Sequence, residues 1–150
     1  MIDRYERFSY TISALYRYVQ KIERAEMIKL GYKGSFAQYL VALAQRPEGL
    51  TAAQLCEVCD KDRAAVSRAV GEMEEKGLLT REGTGDTMYR AKLILTKEGM
   101  RAAEVTCGRA EAAVVAADEG LTEENRAIFY AALDLIAKNL ENISRKGLPE

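Results

Sequence analysis

Cys56 and Cys59 are the first residues whose type and spacing suggest chemistry. A Cys-x-x-Cys pair can cycle between dithiol and disulfide, or supply two thiolates to a metal. A zinc site wants four nitrogen or sulfur ligands. This chain of 150 residues has no histidine and one further cysteine, Cys107, so neither a metal nor a cofactor is expected. The missing histidine also removes the usual base for serine- or cysteine-based hydrolysis, and the chain reads as a non-enzyme. An odd cysteine count argues against a disulfide framework. Cys56 and Cys59 fall, with Ala52 and Leu55, at i, i+3, i+4 and i+7, one apolar helical stripe. Core packing accounts for them more simply than reactivity does.

A second set of residues suggests recognition rather than catalysis. Between Asp62, a good N-cap, and Gly77, a natural C′ residue, Arg63 to Lys76 reads as a helix. Its buried stripe is Val66, Ala69, Val70 and Met73. At 100° per residue the opposite side carries Ala64, Arg68, Gly71 and Glu75, with Ser67 beside them. Small residues for close approach, Arg for guanine or phosphate, and Ser for either are what a helix entering the DNA major groove needs. Glu72, Glu74 and Glu75 lie in the far half, directed away from DNA in such docking.

The neighbouring elements can position this helix. Thr51 and Gln54 form a capping box that opens a preceding helix, which ends at the polar turn Asp60-Lys61-Asp62. After Gly77 the period changes from helical to alternating. Leu78 to Glu82 and Tyr89 to Thr96 read as antiparallel strands around Gly83-Thr84-Gly85-Asp86. A helix-turn-helix followed by a β-hairpin is a winged helix, whose wing cations are Arg81, Arg90 and Lys92.

The segments LTAAQL, AVSRAVGEMEEKGLLTR and YRAKLILTKEG, with helices on both sides, resemble the MarR family of bacterial transcription regulators over nearly the whole chain. The resemblance implies a homodimer on pseudo-palindromic double-stranded DNA, with the Arg63 to Lys76 helix in the major groove and the wing on minor groove or backbone. It also implies release by a small ligand, in a pocket near Tyr16, Phe36 and Tyr39. Many relatives carry Asp-x-Arg in the wing; here Met88 stands at that offset from Asp86, and Arg90 is the nearest arginine further along.

The expected fold is mainly α, one domain over 1–150. A winged helix-turn-helix (α+β) module at 35–99 is flanked by dimerisation helices at 1–30 and 100–146. Ile2 to about Leu30 reads as one helix, Ser35 as the cap of the next, Lys97 to Ala117 as an Ala-rich helix, and Thr122 with Asn125 as the start of the last. The winged core has no use for three long apolar stripes. Pairing with the same stripes of a second copy would bury them in an isologous interface. The N-terminal region also holds Tyr5, Tyr10, Tyr16, Tyr18, Tyr32 and Tyr39, suited to core, interface or a cleft for an aromatic or amphipathic molecule.

No apolar run is long enough for a membrane span, and the N-terminus lacks an apolar h-region, so a cytoplasmic protein is expected. The net charge is −1, and residues 50–99 carry eight Lys or Arg against nine Asp or Glu. DNA binding therefore rests on placement: Lys61, Arg63 and Arg68 cluster at one helix end, with the hairpin cations nearby. The predicted DNA-contacting set is Lys61, Arg63, Ala64, Ser67, Arg68, Arg81, Arg90 and Lys92. Two alternatives use the same residues differently. A winged helix could serve protein contacts without DNA, as near-neutral charge and Met88 would suit, or Cys56 and Cys59 could sense oxidation.

Overall fold

Side-chain caps fix where the central helices start. In the computed structural model, which describes residues 2–83 and 90–149, Thr51 Oγ1 accepts from the Gln54 N–H at 3.2 Å. Gln54 Oε1 accepts in return from the Thr51 N–H at 2.9 Å, completing the capping box. The helix that follows, the third in the chain, spans Ala52–Cys59 and ends at Asp60, whose φ of 50° is left-handed. Asp tolerates that region better than most residues. Asp62 Oδ1 accepts from the Ala65 N–H at 2.7 Å and opens the next helix, Arg63–Glu75.

In chain order the helices are α1 (Ile2–Lys29), α2 (Ala37–Ala44), α3 (Ala52–Cys59), α4 (Arg63–Glu75), α5 (Lys97–Ala117) and α6 (Glu123–Lys146). Two strands, β1 (Leu79–Glu82) and β2 (Lys92–Leu95), pair antiparallel between α4 and α5, with Leu79 opposite Leu95 and Glu82 opposite Lys92. Residues 84–89, which include most of the predicted turn, Met88 and the start of the predicted second strand, lie outside the described residues. Arg90 and Ala91, predicted in that strand, precede it. The chain divides into two compact units, Met1–Ala113 and Val114–Glu150.

The core of the first unit joins Met27 of α1, Phe36, Leu40 and Leu43 around α2, and Leu55 of α3. Val66, Val70 and Met73 of α4 join them, with Leu78, Leu79 and Leu93 of the hairpin and Ala102 and Ala103 of α5. The α4 stripe is the predicted one. Glu26 ties α1 to α5 as well, pairing with Lys29 at 2.7 Å and Arg109 at 3.6 Å. Lys29, then Arg109, hold its carboxyl below the ordinary range. In the second unit Thr122 Oγ1 accepts from the Asn125 N–H at 3.1 Å, and Arg126 pairs with Asp118 at 3.0 Å. None of the 24 residues of α6 is buried.

One sequence expectation changes, and one pairing was not foreseen. Ser35 does not cap α2: it lies inside a 3-10 turn, Gly34–Phe36, and the residue before α2 is Phe36, with no side-chain cap. Burying Phe36 takes precedence there over a polar cap. Leu50, just before the capping box and given no strand role by the sequence, forms a β-bridge to Leu93, with N–H to oxygen distances of 3.2 and 2.7 Å in the two directions. Gly49 permits this close approach with φ 84°; a Cβ there would meet the Leu93 oxygen at 2.9 Å.

Gly99, in the first turn of α5, is also a packing requirement. A Cβ would lie 1.9 Å from the Leu78 carbonyl oxygen, a backbone atom. Gly108, further along α5, has nothing within 4 Å of that position. Urea unfolding separates the two: Gly99→Ala should lose at least the roughly 1–3 kcal/mol of an overpacked core site. Gly108→Ala should gain up to about 1 kcal/mol from helix propensity.

Candidate nucleic-acid interface

Burial of Val66, Ala69, Val70 and Met73 leaves the other side of α4 facing out. Ala64, Ser67 and Arg68 are exposed, as are Lys61 and Arg63 at the helix start. Among the described residues, none of Lys61, Arg63 and Arg68 takes part in an ion pair. The N-terminal half of α4, with Lys61 just before it, thus presents three cations beside two small side chains. Its own N–H dipoles add positive potential at the same end.

The C-terminal half is organised differently. Glu72 pairs with Lys33, from the loop after α1, at 2.5 Å, and Glu74 pairs with Arg81 Nε of β1 at 2.9 Å. Of the predicted wing cations, Arg81 is therefore held against α4. Arg90 is exposed and Lys92 is half-buried. The pairing of Arg81 could not be read from sequence, because it depends on β1 turning back along the last turn of α4.

Phe36 and Tyr39, two of the predicted ligand residues, come together at a cleft of about 210 Å³. Lys33, Ser35, Ala65, Arg68, Ala69 and Glu72 complete its lining. Tyr16, the third, is exposed on α1 and is not among the lining residues. Sequence reasoning missed Lys33 and Glu72 here, which meet only because the 3-10 turn packs on α4. Burial raises the Tyr39 hydroxyl above its ordinary pKa, with Cys59 and Cys56 adding to the rise and Arg68 opposing it.

Cys56 and Cys59 are half-buried and packed against the core, as the stripe predicts. The Cys59 thiol donates to the Gln38 carbonyl at 3.7 Å. Burial pushes its pKa up, outweighing the lowering by Lys61, which favours the thiol over the thiolate. Burial likewise raises Cys107. Among the described residues, no group of three or more His, Cys, Asp or Glu side chains is placed to hold a metal ion. No helix among them is long and apolar enough to cross a membrane.

With that geometry in place, comparison identifies the architecture. Residues 30–87 match the MarR family model. A MarR-family transcriptional regulator from Listeria monocytogenes, solved in complex with 26mer DNA, is 22% identical with a TM-score of 0.74. The match covers 94% of this chain and 95% of that one. A MarR-family regulator from Silicibacter pomeroyi is 23% identical over 87% of this chain and 88% of its own, with a TM-score of 0.72. One from Rhodococcus sp. RHA1 is 23% identical over 88% and 93%, with a TM-score of 0.68. No curated protein matches the sequence. The fold is that of MarR winged helix-turn-helix regulators, as the sequence resemblance implied.

A thiol-labelling experiment tests the placement of Cys59. Because its pKa is raised, alkylation followed by peptide mass mapping should be slower at pH 7.5 than for a free cysteine peptide. The rate should climb only at alkaline pH, as the thiolate forms. Fast labelling at neutral pH would contradict the buried thiol and favour oxidation sensing.

Proposed function

We propose that this chain, a MarR-type winged helix-turn-helix by fold and by its family match over residues 30–87, is a sequence-specific DNA-binding transcriptional regulator acting as a homodimer. The observation that carries this reading is the exposed N-terminal half of α4. Three cations outside any described ion pair flank Ala64 and Ser67 on a helix whose other face is locked in the core. Ser67 and Arg68 contact bases or phosphates in the major groove. Lys61 and Arg63 fix the helix start on the backbone, and Arg90 and Lys92 serve the wing. Its complex with DNA makes the Listeria protein a precedent for this use of the fold.

The dimer reading rests on unburied apolar surface. Tyr5, Leu15 and Tyr16 of α1 and Ile128, Phe129, Leu135 and Leu140 of α6 are all exposed in the single chain. A two-fold partner would cover these faces and set two copies of α4 on successive major grooves. We take the role to be that of a repressor, released when a small aromatic or amphipathic effector binds close enough to α4 to alter its geometry. The cleft at Phe36 and Tyr39, which Arg68 also lines, supports that coupling.

Fluorescence anisotropy tests this on DNA from immediately upstream of the gene, with random duplex as control, at two salt concentrations. Wild type should bind the upstream DNA saturably and more tightly than the control, less so at higher salt. Arg68→Ala should lose about 1–3 kcal/mol of that binding. Equal weak binding of both proteins to every duplex would point instead to a winged helix used for protein contacts.

A further inference from the structure

The junction between α4 and α5 is tied through Thr96, by its main-chain N–H and its hydroxyl. Helix α4 ends in a Schellman arrangement: the Gly77 N–H donates to the Glu74 oxygen at 3.0 Å and the Leu78 N–H to the Met73 oxygen at 2.9 Å. Gly77 takes the left-handed φ of 73° that this ending needs, and Leu78 and Met73 are both fully buried. This end of the helix is therefore closed and fixed in the core.

Thr96, the residue after β2, meets that end two ways. Its N–H donates to the Leu78 oxygen at 3.1 Å, and its hydroxyl donates to the Gly77 oxygen at 2.5 Å. The same hydroxyl accepts from the Gly99 N–H at 3.1 Å, so Thr96 caps α5 while holding the end of α4. Gly99 presses on the Leu78 carbonyl so closely that no Cβ fits between them. One oxygen thus serves as acceptor for the first turn of α5 and donor to the residue that closes α4.

We infer that Thr96 is a positioning residue. Its hydroxyl fixes the angle between α4 and α5, and so the separation of the two α4 helices in a dimer. The inference rests on the proposed DNA-binding homodimer in which α5 helps form the interface. Given that arrangement, a small rotation at this junction is carried along α4 to Ser67 and Arg68 and changes the half-site spacing the dimer accepts. The local sequence read by each α4 stays the same, because the base-facing side chains are untouched.

Three substitutions in the full chain separate the two jobs of the hydroxyl. Thr96→Ser keeps both hydrogen bonds. Thr96→Asp can still accept from Gly99 and cap α5 but cannot donate to the Gly77 carbonyl. Thr96→Val loses both, and Thr96→Asp keeps the test decisive if Thr96→Val fails to fold by circular dichroism. Each protein is used to select from a random-sequence duplex library. Wild type and Thr96→Ser should enrich one half-site motif at a single spacing. Thr96→Asp should enrich the same motif with spacings spread over at least one extra base pair. Retention of the single spacing by Thr96→Asp would overturn the inference while leaving DNA binding intact. Failure of wild type to enrich any sequence would instead remove the DNA-binding reading, and the inference with it.

Discussion

Burial of one face of α4 is the constraint on which the rest depends. Val66, Val70 and Met73 are each at most 1% exposed. Side chains of this size contribute about 1.5–3 kcal/mol apiece when fully buried. Turning the helix by one residue, 100°, would bring all three toward solvent together. Exposed ion pairs such as Lys33–Glu72 and Arg81–Glu74 contribute about 0–1 kcal/mol each and could not oppose that. The core therefore decides the rotation of α4, and the outward position of Ala64, Ser67 and Arg68 follows from helical geometry. The ion pairs decide something smaller: which cations are left without a nearby carboxylate.

What was legible in the sequence is what is written in short-range chemistry. The capping box at Thr51 and Gln54, the caps at Asp62 and Thr122, the glycine after α4 and the stripe from Val66 to Met73 each involve residues within one or two turns. All appear where the spacing put them. What escaped depends on contacts between distant segments. Ser35 has the side chain of a cap, yet Phe36 beside it must reach the core, and the backbone tightens into a 3-10 turn instead. Leu50 has no strand role until Leu93 is brought alongside it. Gly99 reads as a weak point in an Ala-rich helix, whereas the Leu78 carbonyl makes it a required absence of side chain.

The same division runs through the candidate interface. The exposure of Lys61, Arg63, Ala64, Ser67 and Arg68 could be read from the sequence because one helix and its cap place them. Arg81 was grouped with the wing cations by its position in a strand, but whether it is free depends on how β1 returns along α4, where Glu74 holds it. Tyr16 was grouped with Phe36 and Tyr39 only through the family resemblance. It stands on α1 and is exposed, while the other two line a cleft against Arg68. Periodicity says which face of an element is buried, but not which other element covers it.

These placements bear on how a chain of net charge −1 could select a DNA site. With Lys33 and Arg81 paired, the positive charge that α4 offers a phosphate backbone is concentrated at Lys61, Arg63 and Arg68. Non-specific affinity grows with the number of phosphates neutralised, so a small cation set keeps it low. In the proposed DNA-binding dimer, discrimination would then depend less on attraction and more on geometry, on whether both α4 helices reach their half-sites together. For a protein of this charge, rigidity at the end of α4 matters as much as the side chains at its beginning. The shared hydroxyl of Thr96 and the bare α-carbon of Gly99 lie where α4 passes into the hairpin and α5 begins, placed to supply that rigidity in the proposed dimer.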